Sequence, residues 1–96
     1  MSEESRYANG QVEMMQSGNI LTHYYKSGIV KSQGPLKENL MDGQWHFYRE
    51  NGMVHQVGTY KKGVKDGPWV RYNKAGALEY EALFEEGKEV SKRLYH

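Results

Sequence analysis

The chain repeats itself with a period of 24 residues, and this period limits the possible folds more than any other feature of the sequence. Glycines and aromatic residues recur at that spacing through three successive segments. The recurring positions, which we expect to hold the scaffold, are Tyr24, Gly28, Gly34, Trp45, Tyr48, Gly52, Gly58, Tyr60, Gly63, Gly67, Trp69, Tyr72, Gly76, Phe84 and Gly87. A repeat of this length indicates small units that bury surface only by packing on their neighbours.

The period also predicts how the chain is divided. The first copy is shorter, because Gly10 precedes Gly28 by only 18 residues. The last copy loses the pattern after Gly87, where Arg93 stands in the tryptophan column. We expect a disordered N-terminal tail at 1–6 and one repeat domain at 7–96, with copies at about 7–23, 24–47, 48–71 and 72–96.

Each copy has the sequence of a β-hairpin. An aromatic strand ends at Asn51-Gly52, a strong turn signal because both residues tolerate positive φ, and Met53–Tyr60 forms the return strand. No long segment has helical periodicity with capping signals. The residues therefore predict an all-β fold.

Strand alternation predicts a packed face and an opposite face for each hairpin. The packed face carries Val54, Gln56, Gly58 and Tyr60; the opposite face carries Met53, His55, Val57 and Thr59. Gly58 leaves room for an aromatic ring from the adjoining strand. Trp45 and Tyr48 are three residues apart, so alternation places them on opposite faces, and either a bulge or two aromatic layers would explain this.

Two segments of the chain resemble a known repeat. Residues 58–69, GTYKKGVKDGPW, are similar to the MORN repeat, and residues 45–52, WHFYRENG, are similar to its variant form. The resemblance covers about residues 24–87. It implies consecutive hairpins side by side in one elongated, twisted, antiparallel sheet, with protein contacts, for some members proposed lipid contacts, and no catalytic residues. Bacterial proteins of this variant are often labelled antitoxins. In one departure from the family, Asp42 and Asp66 replace a common histidine.

Composition excludes several other classes of protein. The chain has no cysteine, so disulfides and cysteine–metal sites are absent. Thirteen Lys/Arg face twelve Asp/Glu, which argues against a strongly basic nucleic-acid binder. No apolar run approaches the ~20 residues of a membrane helix. We expect a soluble cytoplasmic protein.

Catalytic and cofactor motifs are absent or weak. His23, His46 and His55 have no accompanying nucleophile motif, and Ser32 is expected near a turn. Aspartates in the glycine-bounded turns are expected to form Asx turns with their own backbone and not to bind calcium. We therefore predict no enzymatic activity, no cofactor and no metal.

Protein binding is the function that the residues favour. Only 38% of the chain is hydrophobic, so one sheet face is expected to stay partly open and to attract a partner protein or a second copy. Residues that break the repeat pattern are the better candidates for binding: Tyr25, Phe47, Arg49, His55, Arg71 and Tyr80. An antitoxin or immunity-type protein is the leading hypothesis, and a phage- or plasmid-encoded inhibitor of a defence enzyme is a related one.

A nucleic-acid or anionic-lipid binder is the alternative. Basic residues interleave with aromatics around Lys61, Lys62 and Arg71, a composition that suits stacking on bases. This hypothesis predicts binding that weakens steeply with salt.

Overall fold

The structure is a computed structural model that describes residues 2–95. It consists of strands joined by short turns. The strands are β1 (Ser2–Arg6), β2 (Val12–Ser17), β3 (Ile20–Tyr24), β4 (Val30–Lys37), β5 (Leu40–Met41), β6 (Gly43–Tyr48), β7 (Val54–Lys61), β8 (Val64–Tyr72), β9 (Leu78–Glu85) and β10 (Lys88–Leu94).

All strands belong to one antiparallel sheet in which neighbours in sequence are neighbours in space. The order is β1-β2-β3-β4-β6-β7-β8-β9-β10, and the short strand β5 pairs with β4 beside this path. The sheet measures 41 × 33 × 16 Å, so it is broad and thin. The predicted all-β sheet of consecutive hairpins is confirmed.

One kind of turn is a five-residue loop that recurs in every unit. In the loop at 49–53, the amide of Arg49 donates to the carbonyl of Met53 and the amide of Gly52 donates back to Arg49. Gly52 has a φ of +89°, a conformation that glycine adopts without strain. The same two bonds recur in the loops at 7–11, 25–29 and 73–77. The truncated first copy therefore keeps this loop.

The other kind of turn is a two-residue turn that is held by the preceding unit. Lys62 and Glu86 have positive φ although they are not glycines. The amide of Lys62 donates to Asp42 Oδ2 (3.1 Å), and the amide of Glu86 donates to Asp66 Oδ1 (3.1 Å). The expected Asx turns are therefore wrong, because each carboxylate accepts from a turn 20 residues further along the chain.

A β-bulge next to each five-residue loop changes which side chains share a face. Phe47 pairs with Gln56 and Tyr48 pairs with Val54, so His55 is an extra residue in β7. Phe47 and Tyr48 are consecutive and point to opposite faces, which places Gln56 and Val54 on opposite faces too. The predicted packed face is therefore wrong at Val54, which lies on the opposite face. Equivalent extra residues occur at Glu13, Lys31 and Glu79.

Plain alternation along β6, with an aromatic layer on each face, explains the spacing of the aromatic columns, because the extra residue lies in β7. Trp45 and Phe47 are neighbours on one face, with ring centroids 6.4 Å apart. On the other face, the ring of Tyr48 stacks on His46 at 6.3 Å. Trp45 and Tyr48 are thus on opposite faces, and each face carries its own aromatic residues.

The N-terminal segment differs from its prediction. Residues Ser2–Arg6 form strand β1, which pairs with β2 along its whole length, so the predicted disordered tail is wrong for this segment. The open edge of β2 offers backbone hydrogen bonds, and these bonds order a polar segment that has little apolar surface to bury. Met1 of the predicted tail and His96 of the last copy lie outside the described residues.

Candidate protein-binding face

Five aromatic rings form a continuous band on one side of the sheet. Trp45 contacts Tyr60 edge to face at 6.4 Å, and Tyr60 contacts Trp69 in the same way at 5.2 Å. Trp69 also contacts Phe47 at 6.0 Å and Phe84 at 6.1 Å. We call the side that carries these five rings the aromatic face. Contacts of this geometry stabilise a pair by about 0.5–1.5 kcal/mol beyond the area they bury.

Each tryptophan lies flat on a glycine of the strand before it. Cβ of an alanine at position 58 would stand 2.1 Å from Cδ2 of Trp69, and one at position 34 would stand 2.2 Å from Cδ2 of Trp45. The Trp69 indole N–H donates to the carbonyl of Thr59 at 3.0 Å. The prediction that Gly58 leaves room for a neighbouring ring is confirmed. This packing fixes how far the tryptophan rings stand from the sheet and how they are oriented.

The band is only partly covered. Trp45 and Trp69 have exposed fractions of 1% and 4%, whereas Phe47, Tyr60 and Phe84 are half-buried. The rings of Phe47, Tyr60 and Phe84 therefore present apolar surface to a ligand, while the tryptophans support them from below.

One cation lies over the band. The Lys65 ammonium is 4.4 Å from the ring centroid of Trp69 and 4.9 Å from that of Phe84. A cation in this position is attracted to the negative ring faces. Lys65 was among the basic residues of the nucleic-acid and lipid alternative but not among the candidates for protein binding, because its equivalents Met41 and Glu89 differ in type and give no column signal.

A row of cross-strand neighbours continues the aromatic face towards the five-residue loops. Phe47 pairs with Gln56, Gln56 with Arg71, and Arg71 with Tyr80. The Arg71 guanidinium lies 4.7 Å from the Tyr80 ring centroid. Arg71 Nε also donates to Glu79 Oε2 at 2.8 Å. The arginine is thus held flat against the sheet with its other donors available.

His55 belongs to the same region. Its pKa is lowered from the ordinary histidine value, first by burial and then by the positive charges of Arg49 and Arg71, while Glu79 opposes these effects. His55 and Glu79 are both bulge residues one period apart, so this column was visible in the sequence. Burial is thus the main reason that the pKa of His55 is lowered, and the two arginines add to it.

Two of the sequence-based candidates join neighbouring units. The Tyr25 hydroxyl donates to the carbonyl of Tyr48 at 2.7 Å, and Arg49 Nη2 donates to the carbonyl of Tyr72 at 3.0 Å. Tyr7 makes the equivalent bond at the first loop. The structure therefore brings Phe47, His55, Arg71 and Tyr80 together, with Arg49 beside them, and places Tyr25 one unit away. The sequence does not reveal these bonds between units, because the residue type varies at the first position of the five-residue loops.

A serine and a histidine lie close together on β3 and β4. Ser32 Oγ is 3.2 Å from His23 Nδ1, and Ser32 lies within β4 and not in the expected turn. Both strands pair on each side, which leaves their backbone N–H groups engaged in the sheet. A serine nucleophile also needs oxyanion donors. Within residues 2–95, no group of three metal-ligating side chains is present.

The basic residues of the alternative hypothesis do not form one patch. Lys61 and Lys62 lie at the two-residue turn, where Lys61 pairs with Val64. Arg71 lies seven residues along β8, roughly 20 Å away at the rise of a strand. In the described part of the chain, no helix is long and apolar enough to span a membrane.

The fold is that of a meandering repeat protein. Its hairpins are joined by tryptophan–glycine contacts, by turns that a carboxylate holds, and by hydrogen bonds from the loops. Residues 41–62 match a family model, the MORN repeat variant. The matched segment contains β6, the loop at 49–53 and β7. The sequence resemblance is confirmed there. No curated protein and no solved structure matched the chain.

Proposed function

We propose that this chain is a non-enzymatic binding module that recognises a partner protein through its aromatic face and blocks the partner's activity. The observation that carries the proposal is the band of half-buried rings beside Arg71. Aromatic residues and arginine contribute most of the energy in protein interfaces, and they act best when grouped at the centre of a patch. A flat, rigid band also suits a partner surface more than a small substrate.

The rigidity of the support strengthens this proposal. Phe47 rests against both tryptophans, and the tryptophans are fixed by Gly34 and Gly58. A ring that is already ordered loses little conformational freedom on binding, so more of the contact energy appears as affinity. Arg71 is ordered in the same way by Glu79.

The blocking role is the finer part of the proposal. An antitoxin or immunity-type protein would cover the active surface of a toxin, and an inhibitor of a defence enzyme would use the same face in the same way. The chemistry of the face suits both kinds of partner. We place the encounter in the cytoplasm, in agreement with the cysteine-free composition.

Affinity capture followed by rebinding tests the proposal. Tagged chain is used to capture proteins from the cells that produce it, and the captured protein is purified and titrated back. We expect a stoichiometric complex with inhibition of the partner's activity. Phe47→Ala and Arg71→Ala should each weaken it by about 1–3 kcal/mol, as for interface hot spots. Lys74→Ala, on an exposed loop, is the control and should bind as wild type.

Three results would contradict the proposal. The first is that no protein is captured above background. The second is a complex that Phe47→Ala and Arg71→Ala leave intact. The third is recovery of nucleic acid or lipid in place of protein, with binding that falls steeply with salt and with Lys61→Glu or Lys62→Glu.

A further inference from the structure

The face opposite the aromatic band is apolar at its centre, and its central side chains are only half-buried. It carries Tyr48, Val54, Val57, Val70 and Tyr72, and we call it the tyrosine face. Val54, Val57 and Tyr72 line one apolar groove together with His46 and Met53. A similar groove lies one unit earlier and is lined by Ile29, Val30, Gln33, Tyr48 and Gly52.

All of the buried apolar side chains lie on the other side of the sheet. Among the described residues these are Trp45, Trp69 and Ala82, and Ala82 pairs with Trp69 on the aromatic face. Three buried apolar side chains are a small core for a chain of this length, because ordering each residue costs about 1–2 kcal/mol of backbone entropy alone. A sheet normally buries one face against a second layer. The tyrosine face therefore needs a partner layer.

We propose that a second copy of the chain supplies this layer, with two sheets packed face to face through their tyrosine faces. The outline of 41 by 33 Å gives each sheet a projected area of about 1,350 Å². A stable interface buries about 800 Å² per partner. The face is thus large enough even when its rim stays open. This proposal concerns the opposite side of the sheet and is independent of the proposed function.

The charges at the margins select one arrangement of the two copies. One row of the tyrosine face runs through Thr22, Gln33, His46, Val57, Val70 and Glu81. A two-fold axis parallel to the strands, between β6 and β7, places His46 over Val57 and Glu81 over Thr22. A two-fold axis that runs along this row, perpendicular to the strands, would place Glu81 of one chain over Glu81 of the other chain. Like charges that face each other are unfavourable. We therefore choose the parallel axis.

This arrangement gives an apolar centre and a polar rim, the usual anatomy of a protein interface. Val57 lies next to the axis, while Glu81 lies more than two strands away from it. Both aromatic faces then point outwards, and the dimer offers two identical binding faces on opposite sides.

Solution mass with two neighbouring variants tests the dimer. Light scattering between about 1 and 100 µM should give twice the 11.1 kDa of one chain. Val57→Glu puts an unpaired carboxylate next to the axis and should raise the dissociation constant by about 100-fold or more. Gln56→Glu is the matched control, because it changes the adjacent residue on the aromatic face; it should stay dimeric.

Cross-linking gives a second readout that does not depend on Val57→Glu being folded. The chain has no cysteine, so Val57→Cys places a single thiol on the tyrosine face. A short bis-maleimide should join two copies of this variant and should not join two copies of Gln56→Cys or Glu81→Cys.

The outcomes that overturn the proposal are equally specific. A monomeric mass over the whole concentration range would do so. A dimer that survives Val57→Glu and gives no cross-link at Val57→Cys would place the contact elsewhere, for example at the β10 edge. Cross-linking at Glu81→Cys would overturn the parallel axis.

Discussion

Replacing Gly58 by alanine should be among the most destabilising single substitutions in this chain. The new Cβ would stand 2.1, 2.2 and 2.4 Å from three atoms of the Trp69 ring. Contacts between a Cβ and a ring carbon need more than 3 Å, so the indole must move by about an ångström or leave its place. The backbone at position 58 would not oppose the substitution, because alanine is more favourable than glycine in a strand by about 0.5–1 kcal/mol.

The magnitude follows from what the indole loses when it moves. Trp69 is 4% exposed and donates its N–H to Thr59, and three other rings pack around it. Complete loss of a buried tryptophan costs about 3–5 kcal/mol, and a strained fit costs about 1–3 kcal/mol. Because the ring is rigid and pinned on several sides, we expect about 3–5 kcal/mol for Gly58→Ala. That is a large part of the 5–15 kcal/mol that stabilises a typical domain.

A double-mutant cycle, measured by urea unfolding with far-ultraviolet circular dichroism, separates the clash from other causes. In a Trp69→Ala background the clash is gone, so Gly58→Ala should there be neutral or slightly stabilising. Ala82→Gly is a further control, because the following strand β10 places Lys92 beside Ala82 where β8 places Trp69 against Gly58, while Trp69 pairs with Ala82 from the preceding strand; it should cost only about 0.5–1 kcal/mol. A wild-type unfolding midpoint for Gly58→Ala, or an equal penalty with and without Trp69, would refute the reasoning.

Three further predictions concern the contacts between units and the histidine. Asp42→Ala removes the acceptor for the strained Lys62 amide and should cost about 1 kcal/mol, whereas Asp42→Asn should restore most of that loss; equal urea midpoints for wild type and Asp42→Ala would contradict this. Tyr25→Phe removes one hydrogen bond and should cost about 0.5–1.5 kcal/mol by the same measurement, and an unchanged free energy of unfolding would show that the bond adds nothing. His55 has a lowered pKa in the folded chain, so the unfolded chain binds its proton more readily; the associated stability is complete above pH ~6.5 and falls as pH drops below that value. His55→Gln should therefore flatten the dependence of the urea midpoint on pH between about 5 and 7.5, and an unaltered slope would count against the assignment.

The sequence predicts the parts of this fold that depend on residue type at a fixed spacing. Positive φ at Gly52 and the close approach at Gly58 both require glycine, so these positions recur visibly. The recurring aromatic residues follow, because a ring on one strand needs the gap that a glycine leaves on the neighbouring strand. These two requirements are enough to predict the hairpins and the direction in which units add.

The sequence predicts less well the features that depend on backbone register. One extra residue at His55 moves Val54 to the opposite face, and alternation counted along the strand does not reveal it. The bonding partner of a turn aspartate is equally hidden, because its own turn and the turn of the next unit both offer an amide. Asp42 and Asp66 choose the second, which only the three-dimensional arrangement decides.

The candidate site, like the fold, could be predicted from the sequence only in part. Phe47, Arg71 and Tyr80 lie on one face with His55 at the bulge near Arg71, but the rule that selected them, departure from the repeat, also selected Tyr25 and Arg49. These two vary in type because tyrosine and arginine both reach the same carbonyl from the same loop position. A column can therefore conserve a hydrogen bond without conserving a residue.

The unmatched residue in each unit has a consequence for how such a chain can change its length. Deleting His55 alone would remove the bulge and keep the pairs Phe47–Gln56 and Tyr48–Val54 on their present faces, because consecutive strand residues point to opposite faces. Deleting a paired residue such as Val57 would instead turn Gln56 and Val54 to the other face. Removing or adding a complete 24-residue unit would leave each remaining unmatched residue opposite its proper neighbour. Loss of one paired residue is thus more damaging to this architecture than loss of two whole strands, whereas the unmatched residue of a unit can be lost without changing which side chains share a face.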